Sequence, residues 1–312
     1  MLAFSVRRLF TGLITVFAVS LLSFFVFNAL PGNPAQIMLG MDADKSAIER
    51  LEKELNLNEP ALTRYFLWIG ALFKGDLGYS IGYKKPVSEV IISSLEPTAS
   101  ITLMSILIAT LVSFPLGIIS ARHHNKALDY MISAFSQIGL IIPGFWLGIL
   151  LLLMFSVQLE LFPSGGYIPL CEDLRGWASS IALPSLSLGI ISSSVLIRMI
   201  RSSIIGNMNE DYARTATGKG LSSAKVLRKH VLKNAMIPVL SMFGLQAAAI
   251  LAGTIIIESV FSIPGIGRLL LYSVQRRDLP VVQGIVIWIA VITIGINFTM
   301  DIVHMYIDPR IR

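Results

Sequence analysis

Residues 234–257, NAMIPVLSMFGLQAAAILAGTIII, contain no Asp, Glu, Lys or Arg. A helix needs about 20 predominantly apolar residues to cross a bilayer core, so this stretch is long enough to span a membrane. Five further uncharged stretches are as long or nearly so: 9–30, 97–121, 130–159, 176–197 and 279–300. These six runs predict an all-α polytopic membrane protein with six transmembrane helices, because a helix satisfies its backbone hydrogen bonds within the span.

The composition agrees with a membrane location. Hydrophobic residues make up 54% of the 312-residue chain and charged residues only 14%, whereas soluble proteins have about 25% charged residues. The core of a signal peptide has about 7–15 apolar residues. The longer run at 9–30 is therefore predicted to be a permanent helix rather than a cleaved leader.

The distribution of charge predicts the orientation of the chain. If the N-terminus is cytoplasmic, segments 1–8, 122–129, 198–233 and 301–312 face inwards and hold 14 Lys and Arg against 5 Asp and Glu, while the rest of the chain holds 11 against 14. Positive charge collects on the cytoplasmic side of membrane proteins. We expect a multi-pass protein of the cell membrane with both termini cytoplasmic.

This orientation divides the chain into three parts. Residues 1–30 form a cytoplasmic tail and the first helix, residues 31–96 form an extracytoplasmic region, and residues 97–312 form a five-helix core. The core carries its largest cytoplasmic loop at 198–233.

The sequence lacks the motifs of several classes of enzyme. Gly218 and Lys219 occur without the rest of a GxxxxGK[ST] phosphate-binding loop, and neither HExxH nor GxSxG is present. The four histidines and single Cys171 form no metal-ligand pattern, so no catalytic, cofactor or metal site is expected. Ion-driven transporters usually carry charges in mid-membrane; here Glu258, Asp301 and His304 are expected to be solvated at helix ends.

The loop 198–233 contains a predicted pair of short helices. The first begins near Glu210 and ends near Gly218 or Gly220, since glycine adopts the left-handed conformation that ends helices. Ser222 or Ser223 can begin the second. In it, an apolar row of Ala224, Leu227, Val231 and Ala235 opposes a basic row of Lys225, Lys229 and Lys233.

Three functions compete for this loop. Binding to nucleic acid is disfavoured, because both ends of the loop are tied to the membrane. Anionic lipid headgroups would explain the lysines but not the glycine turn between two helices. A docking surface for an energising partner explains both, and small residues at Ala213, Thr215, Ala216 and Gly220 would let that partner approach closely.

The segment YARTATGKGLSSAKVLRKHVLKNAMIP, 212–238, resembles the coupling motif of membrane permease subunits from binding-protein-dependent ABC importers, in the dipeptide, oligopeptide and nickel branch. The general motif is Glu-Ala-Ala, three residues, then Gly. Arg214, Thr215 and Ala216 stand at its first three positions and Gly220 at its glycine. Arg214 in place of glutamate, and Lys233 where many importers have proline, are typical of the first permease of the pair.

Further motifs extend the resemblance over nearly the whole chain. They are LPGNPA (30–35), KGDLGYS (74–80), PGFWLGILL (143–151), ESVFSIPGIGRLL (258–270), RDLPVVQG (277–284) and DPRIR (308–312).

The resemblance implies a type I ABC importer permease fold and a set of partners. These are a second homologous permease, two cytoplasmic ATPase subunits that bind the ATP, and an extracytoplasmic substrate-binding protein. This chain would be a transport subunit with no ATPase site of its own. The implied coupling residues are Tyr212, Ala213, Arg214, Thr215, Ala216, Gly220, Leu221 and Lys225.

Two questions stay open at this point. The expected cargo is a short peptide, with a nickel or metal chelate as the alternative and a nucleotide-independent channel as a more distant one. Gly244, Ala248 and Gly253 are candidates for the translocation path because their helix directly follows the loop. The same small residues are equally typical of close helix packing.

Overall fold

The computed structural model describes residues 2–29, 34–39, 44–54, 57–80 and 82–307. The DPRIR motif and the first four residues of LPGNPA lie outside them. The elements in chain order are α1 (Leu2–Ala29), α2 (Pro34–Leu39), α3 (Lys45–Glu54), α4 (Ala61–Phe73), β1 (Tyr79–Ser80), β2 (Lys85–Pro86), α5 (Val87–Arg122), α6 (Ala127–Ile141), α7 (Gly144–Leu151), a π-helix (Leu152–Gln158), α8 (Leu174–Met208), α9 (Asp211–Gly218), α10 (Ser223–Val226), a second π-helix (Leu227–Val231), α11 (Leu232–Val260), α12 (Ile266–Gln275) and α13 (Leu279–Ile307).

The predicted all-α polytopic class is confirmed, but the count of six spans is not reached in full. Within the described residues, four helices are long and apolar enough to cross a membrane: α5, α8, the continuous helix Ser223–Val260, and α13. The pair α6 and α7 qualifies only as a bent unit. Helix α1 contributes a shorter apolar stretch, Phe10–Val26.

The apolar run 130–159, predicted as one of the six spans, is broken in the structure. Helix α6 ends at Ile141, α7 begins at Gly144, and the bend between them is 101°. Pro143 has no N–H to continue the helix and disfavours helical geometry at the preceding residue. Ile142 is accordingly extended, with ψ 124°. The apolar run is therefore a broken element rather than one helix.

The chain folds into two compact units. The first comprises residues 97–263 and 295–307 of the described chain, and α8 lies at its centre, packed against α6, α7 and α11. Two glycines allow α8 to lie close to α6 and to α5. A Cβ at Gly139 would clash with Ser194, and one at Gly189 would lie 2.7 Å from Ile108 Cγ2.

The second unit comprises residues 2–96 and 264–294. In it, α4 packs on α1, where the Tyr65 and Ser20 hydroxyls share a 2.8 Å hydrogen bond. Strands β1 and β2 form an antiparallel hairpin. Ser80 Oγ donates to Asp278 Oδ2 at 2.5 Å, and the Gly82 amide donates to the same oxygen at 3.2 Å. This contact joins the motifs at 74–80 and 277–284.

Candidate functional site

The segment 211–231 has the helix pair that its sequence predicts. Helix α9 runs from Asp211 to Gly218, and Gly220 has φ +85°, the left-handed conformation that favours glycine. Ser222 stands at the N-cap of α10, although its side chain makes no capping hydrogen bond. The glycine turn between two short helices is thus confirmed.

The first helix divides its side chains between a buried and an exposed face. Ala213 and Ala216 are buried, whereas Tyr212, Arg214 and Thr215 are exposed. The sequence predicts that the two alanines let a partner approach closely. In the structure they face the chain's own core instead, and their small size lets α9 pack against it. The surface open to another protein is formed by the exposed face and by Gly220.

The predicted apolar row of the second helix is only partly correct. Leu227, Val231 and Ala235 are buried, but Ala224 is exposed and Val226 is buried instead. The π-helix at Leu227–Val231 explains the shift, because a wider turn rotates the side chains that precede it relative to those that follow.

The exposed side of this helix is strongly basic. Lys225, Arg228 and Lys229 line a shallow pocket of about 440 Å³ together with Ser222 and Ala224. Among the residues that the structure describes, no acidic side chain lines this pocket. Such a surface attracts anionic groups, on a protein or on a lipid.

A buried apolar cluster anchors the segment to longer helices. Ala213 and Ala216 pack with Ile200 and Ile204 of α8. The other buried members come from the second helix and α11: Val226, Leu227, Val231, Ala235 and Val239. Leu221 and residues 114, 118 and 121 of α5 lie against the cluster. A displacement of α9 would therefore be transmitted to α5, α8 and α11, because a close-packed core does not deform continuously.

A polar cluster that the sequence analysis missed lies beside this core. Asp129 at the start of α6 is buried and accepts hydrogen bonds from Arg201 of α8, from Ser120 of α5 and from the Asn125 amide. The His124 ring lies 3.3 Å from the same carboxylate. The cluster joins α5, α6 and α8, and no local pattern predicts it because its acid and base are far apart in sequence.

The candidate path residues lie at helix contacts or near them. A Cβ at Gly244 would lie 2.9 Å from Met300 Cγ, and one at Gly253 would lie 2.9 Å from Leu188 Cδ2. Ala248 is partly exposed. Close packing explains both glycines, and a role of the three residues in translocation stays a prediction.

Glu258 corrects another expectation. Instead of being solvated at a helix end, it is fully buried, and Thr98 Oγ1 donates to its Oε1 at 2.6 Å. Among the described residues, no group of three or more His, Cys, Asp or Glu side chains could hold a metal ion.

Within the described residues, four long apolar helices, a bent apolar helix pair and a polar helix pair packed on a buried core are the architecture of a multi-pass membrane protein. Comparison with known families agrees. The profile of the "binding-protein-dependent transport system inner membrane component" matches residues 113–312, and the profile of the N-terminal part of such components matches residues 1–102. The chain belongs to this family of ABC importer permeases.

Curated relatives match over the whole chain. A putative peptide transport system permease of Brucella abortus is 35% identical, and the match covers 100% of this chain and 99% of the relative. An oligopeptide permease of Bacillus subtilis is 35% identical with full coverage of both chains. A glutathione permease of Escherichia coli is 38% identical, covering 100% and 99%. These relatives place the chain in the peptide branch of the family.

The fold is also found among solved structures. The inward-facing MetNI methionine ABC transporter aligns with a TM-score of 0.57 at 14% identity, covering 70% of this chain and 96% of that one. At this identity the likeness concerns the fold alone.

Proposed function

We propose that this chain forms half of a translocation path for short peptides and couples that path to ATP hydrolysis by partner subunits. The observation that carries the proposal is the 211–231 segment. It presents an exposed face with Arg214, Thr215 and Gly220, and its buried face holds α5, α8 and α11 in one core. The names of the full-length relatives support peptides as cargo and do not favour nickel.

Membership of the family supports the following set of partners. A second homologous permease completes the path, two cytoplasmic ATPase subunits bind ATP and dock on the 211–231 segment, and an extracytoplasmic binding protein delivers the peptide. The chain has no ATPase site of its own and both termini are cytoplasmic. The basic pocket at Lys225, Arg228 and Lys229 lies at the inner membrane surface, where it also holds anionic lipid headgroups.

The coupling step is mechanical. When the ATPase dimer closes on ATP, it moves α9, and the shared apolar core carries this motion to α8 and α11. Ser203 of α8 donates to the Ala235 carbonyl at 2.7 Å, so the start of α11 moves with α8. The ion pair between Arg201 of α8 and Asp129 of α6 makes α6 move with α8 as well. Access to the path then alternates between the two membrane faces.

Reconstitution tests this function. The complete complex in liposomes, with its binding protein outside and ATP inside, should accumulate a labelled dipeptide or tripeptide, and should not do so without ATP or with a non-hydrolysable analogue. A nickel chelate serves as the competing cargo. Uptake of the chelate alone, or peptide flux that does not depend on ATP, would contradict the proposal.

A further inference from the structure

A second pocket is lined by residues from 83–94 and 264–272. It has a volume of about 990 Å³ and lies wholly within the unit formed by residues 2–96 and 264–294. Its walls come from the β-hairpin, the first two turns of α5 and the start of α12. All three lie in or next to regions predicted to be extracytoplasmic, so the pocket faces the side from which a cargo arrives.

The pocket has a fixed frame. Asp278 is buried and holds the hairpin through Ser80 and the Gly82 amide. Below the pocket, Val90 of α5 and Leu269 of α12 are buried in one apolar cluster. Because the hairpin and the apolar floor are both held, the backbone that carries the lining residues is fixed without a ligand, and a preformed pocket binds at lower entropic cost.

The lining combines an apolar floor with polar groups of both charges. Lys85 and Glu89 line the pocket, are exposed, and form no ion pair within the described part of the chain. Arg268, Tyr83 and Tyr272 complete the polar part. The Tyr83 phenol is neutral, as tyrosine ordinarily is near pH 7, and can donate a hydrogen bond; burial raises its pKa further.

We propose that this pocket receives the peptide cargo itself, with the peptide carboxylate at Lys85 and the peptide ammonium at Glu89. The inference rests on the proposed function and adds to it a cargo site on the permease. A zwitterion with an apolar side chain matches the lining, since it offers one charge to each of these two groups and apolar surface to the exposed Ile92 and Pro264. The volume is at the upper end of the range of about 300–1,000 Å³ for small-molecule sites.

The test measures peptide binding without the binding protein. The complex of permeases and ATPases is placed in nanodiscs, and saturation-transfer NMR follows alanyl-phenylalanine, its N-acetyl form and its C-terminal amide. We expect Glu89→Gln to weaken binding of the free dipeptide about fivefold, as for loss of a partly solvated ion pair, and to leave the N-acetyl form unchanged. Lys85→Gln should weaken the free dipeptide equally and leave the amide unchanged.

Lys84 supplies the matched control. It neighbours Lys85 but does not line the pocket, and its φ of +54° suits asparagine. Lys84→Asn therefore removes a nearby cation without touching the site, and binding of all three ligands should match the wild type.

Three results would overturn the proposal. The first is the absence of saturable binding by the wild-type complex, and the second is an equal effect of each variant on free and capped peptides. The third is normal peptide binding by the variants with weaker stimulation of ATPase activity by the binding protein, which would make the pocket the docking surface of that protein. ATP-dependent peptide uptake by the complete wild-type system, measured in parallel, would leave the transport function standing in each case.

Discussion

Arg201 donates two hydrogen bonds to Asp129: Nε lies 2.6 Å from Oδ1 and Nη2 lies 2.8 Å from Oδ2. The two residues are 72 positions apart and join α8 to α6. Their environments differ, because the Asp129 side chain is 1% exposed and the Arg201 side chain is 26% exposed. The cost of breaking the pair therefore depends on which partner is removed.

Arg201→Ala should destabilise the protein more than Asp129→Asn does. Without Arg201, a buried carboxylate loses its cation, which costs about 3–5 kcal/mol. Asparagine at position 129 keeps hydrogen-bonding atoms, and the freed guanidinium can reach solvent, so we expect a cost of about 1–2 kcal/mol. Thermal unfolding of the detergent-purified chain measures both.

Arg198→Ala is the matched control for this pair, since Arg198 is an exposed cation on the same helix. It should leave the unfolding midpoint unchanged, and the double variant Arg201→Ala with Asp129→Asn should recover part of the loss. Equal midpoints for the two single variants would show that the ion pair does not hold α6 to α8.

Gly220 carries the second prediction. Its φ of +85° disfavours any residue with a Cβ, by about 1–2 kcal/mol, but asparagine tolerates that conformation better than most. A Cβ at Gly220 meets no atom of this chain within 4 Å. Gly220→Asn should therefore preserve folding and insertion, yet uncouple ATP hydrolysis from uptake if the partner approaches this point.

The readout is the ratio of peptide imported to ATP hydrolysed in liposomes. Gly206→Ala is the control, because Gly206 also has open space but lies inside α8 with ordinary helical geometry. It should leave the ratio unchanged. An unaltered ratio for Gly220→Asn would remove Gly220 from the docking surface.

The sequence predicts features whose cause is local. The turn at Gly220 and the helix start at Ser222 depend on neighbouring residues, and the structure has both. The break at Pro143 also has a local cause, but its angle of 101° depends on packing around α6 and α7. Apolar runs predict membrane helices and cannot give their bends.

Features built from distant residues cannot be predicted in the same way. Asp129 belongs to a predicted cytoplasmic loop, although its carboxylate is buried by partners on two helices and in the turn before α6. Glu258 is predicted to be solvated at a helix end, but in the structure it is buried against Thr98. In both cases the charge lies at the end of an apolar run, and only tertiary packing decides whether water reaches it.

Ser80→Ala should loosen the hairpin that frames the second pocket. The Asp278 carboxylate is 2% exposed and would lose the hydroxyl 2.5 Å away, which costs about 1–3 kcal/mol for a buried acceptor. Hydrogen exchange of amides 79–85 should rise. Ser88→Ala is the control, since no hydrogen bond of the Ser88 side chain occurs in the described structure; equal exchange in both variants would contradict the role of Ser80.

Thr98 and Thr102 offer a sharp comparison on one helix. Both side chains are buried in α5, one turn apart, but Thr98 donates to Glu258 at 2.6 Å whereas Thr102 Oγ1 has no hydrogen-bond partner. Valine has nearly the shape of threonine without the hydroxyl. Thr98→Val should therefore destabilise the protein by about 1–3 kcal/mol, because it removes a donor from a buried carboxylate.

Thr102→Val should be neutral or stabilising, since a buried hydroxyl without a partner already costs free energy that valine removes. Thermal unfolding midpoints of the two variants, measured in the same detergent, compare the two effects on stability. If the midpoint falls equally for both, the Thr98 hydroxyl contributes no more than side-chain shape, and the burial of Glu258 must depend on its other contacts.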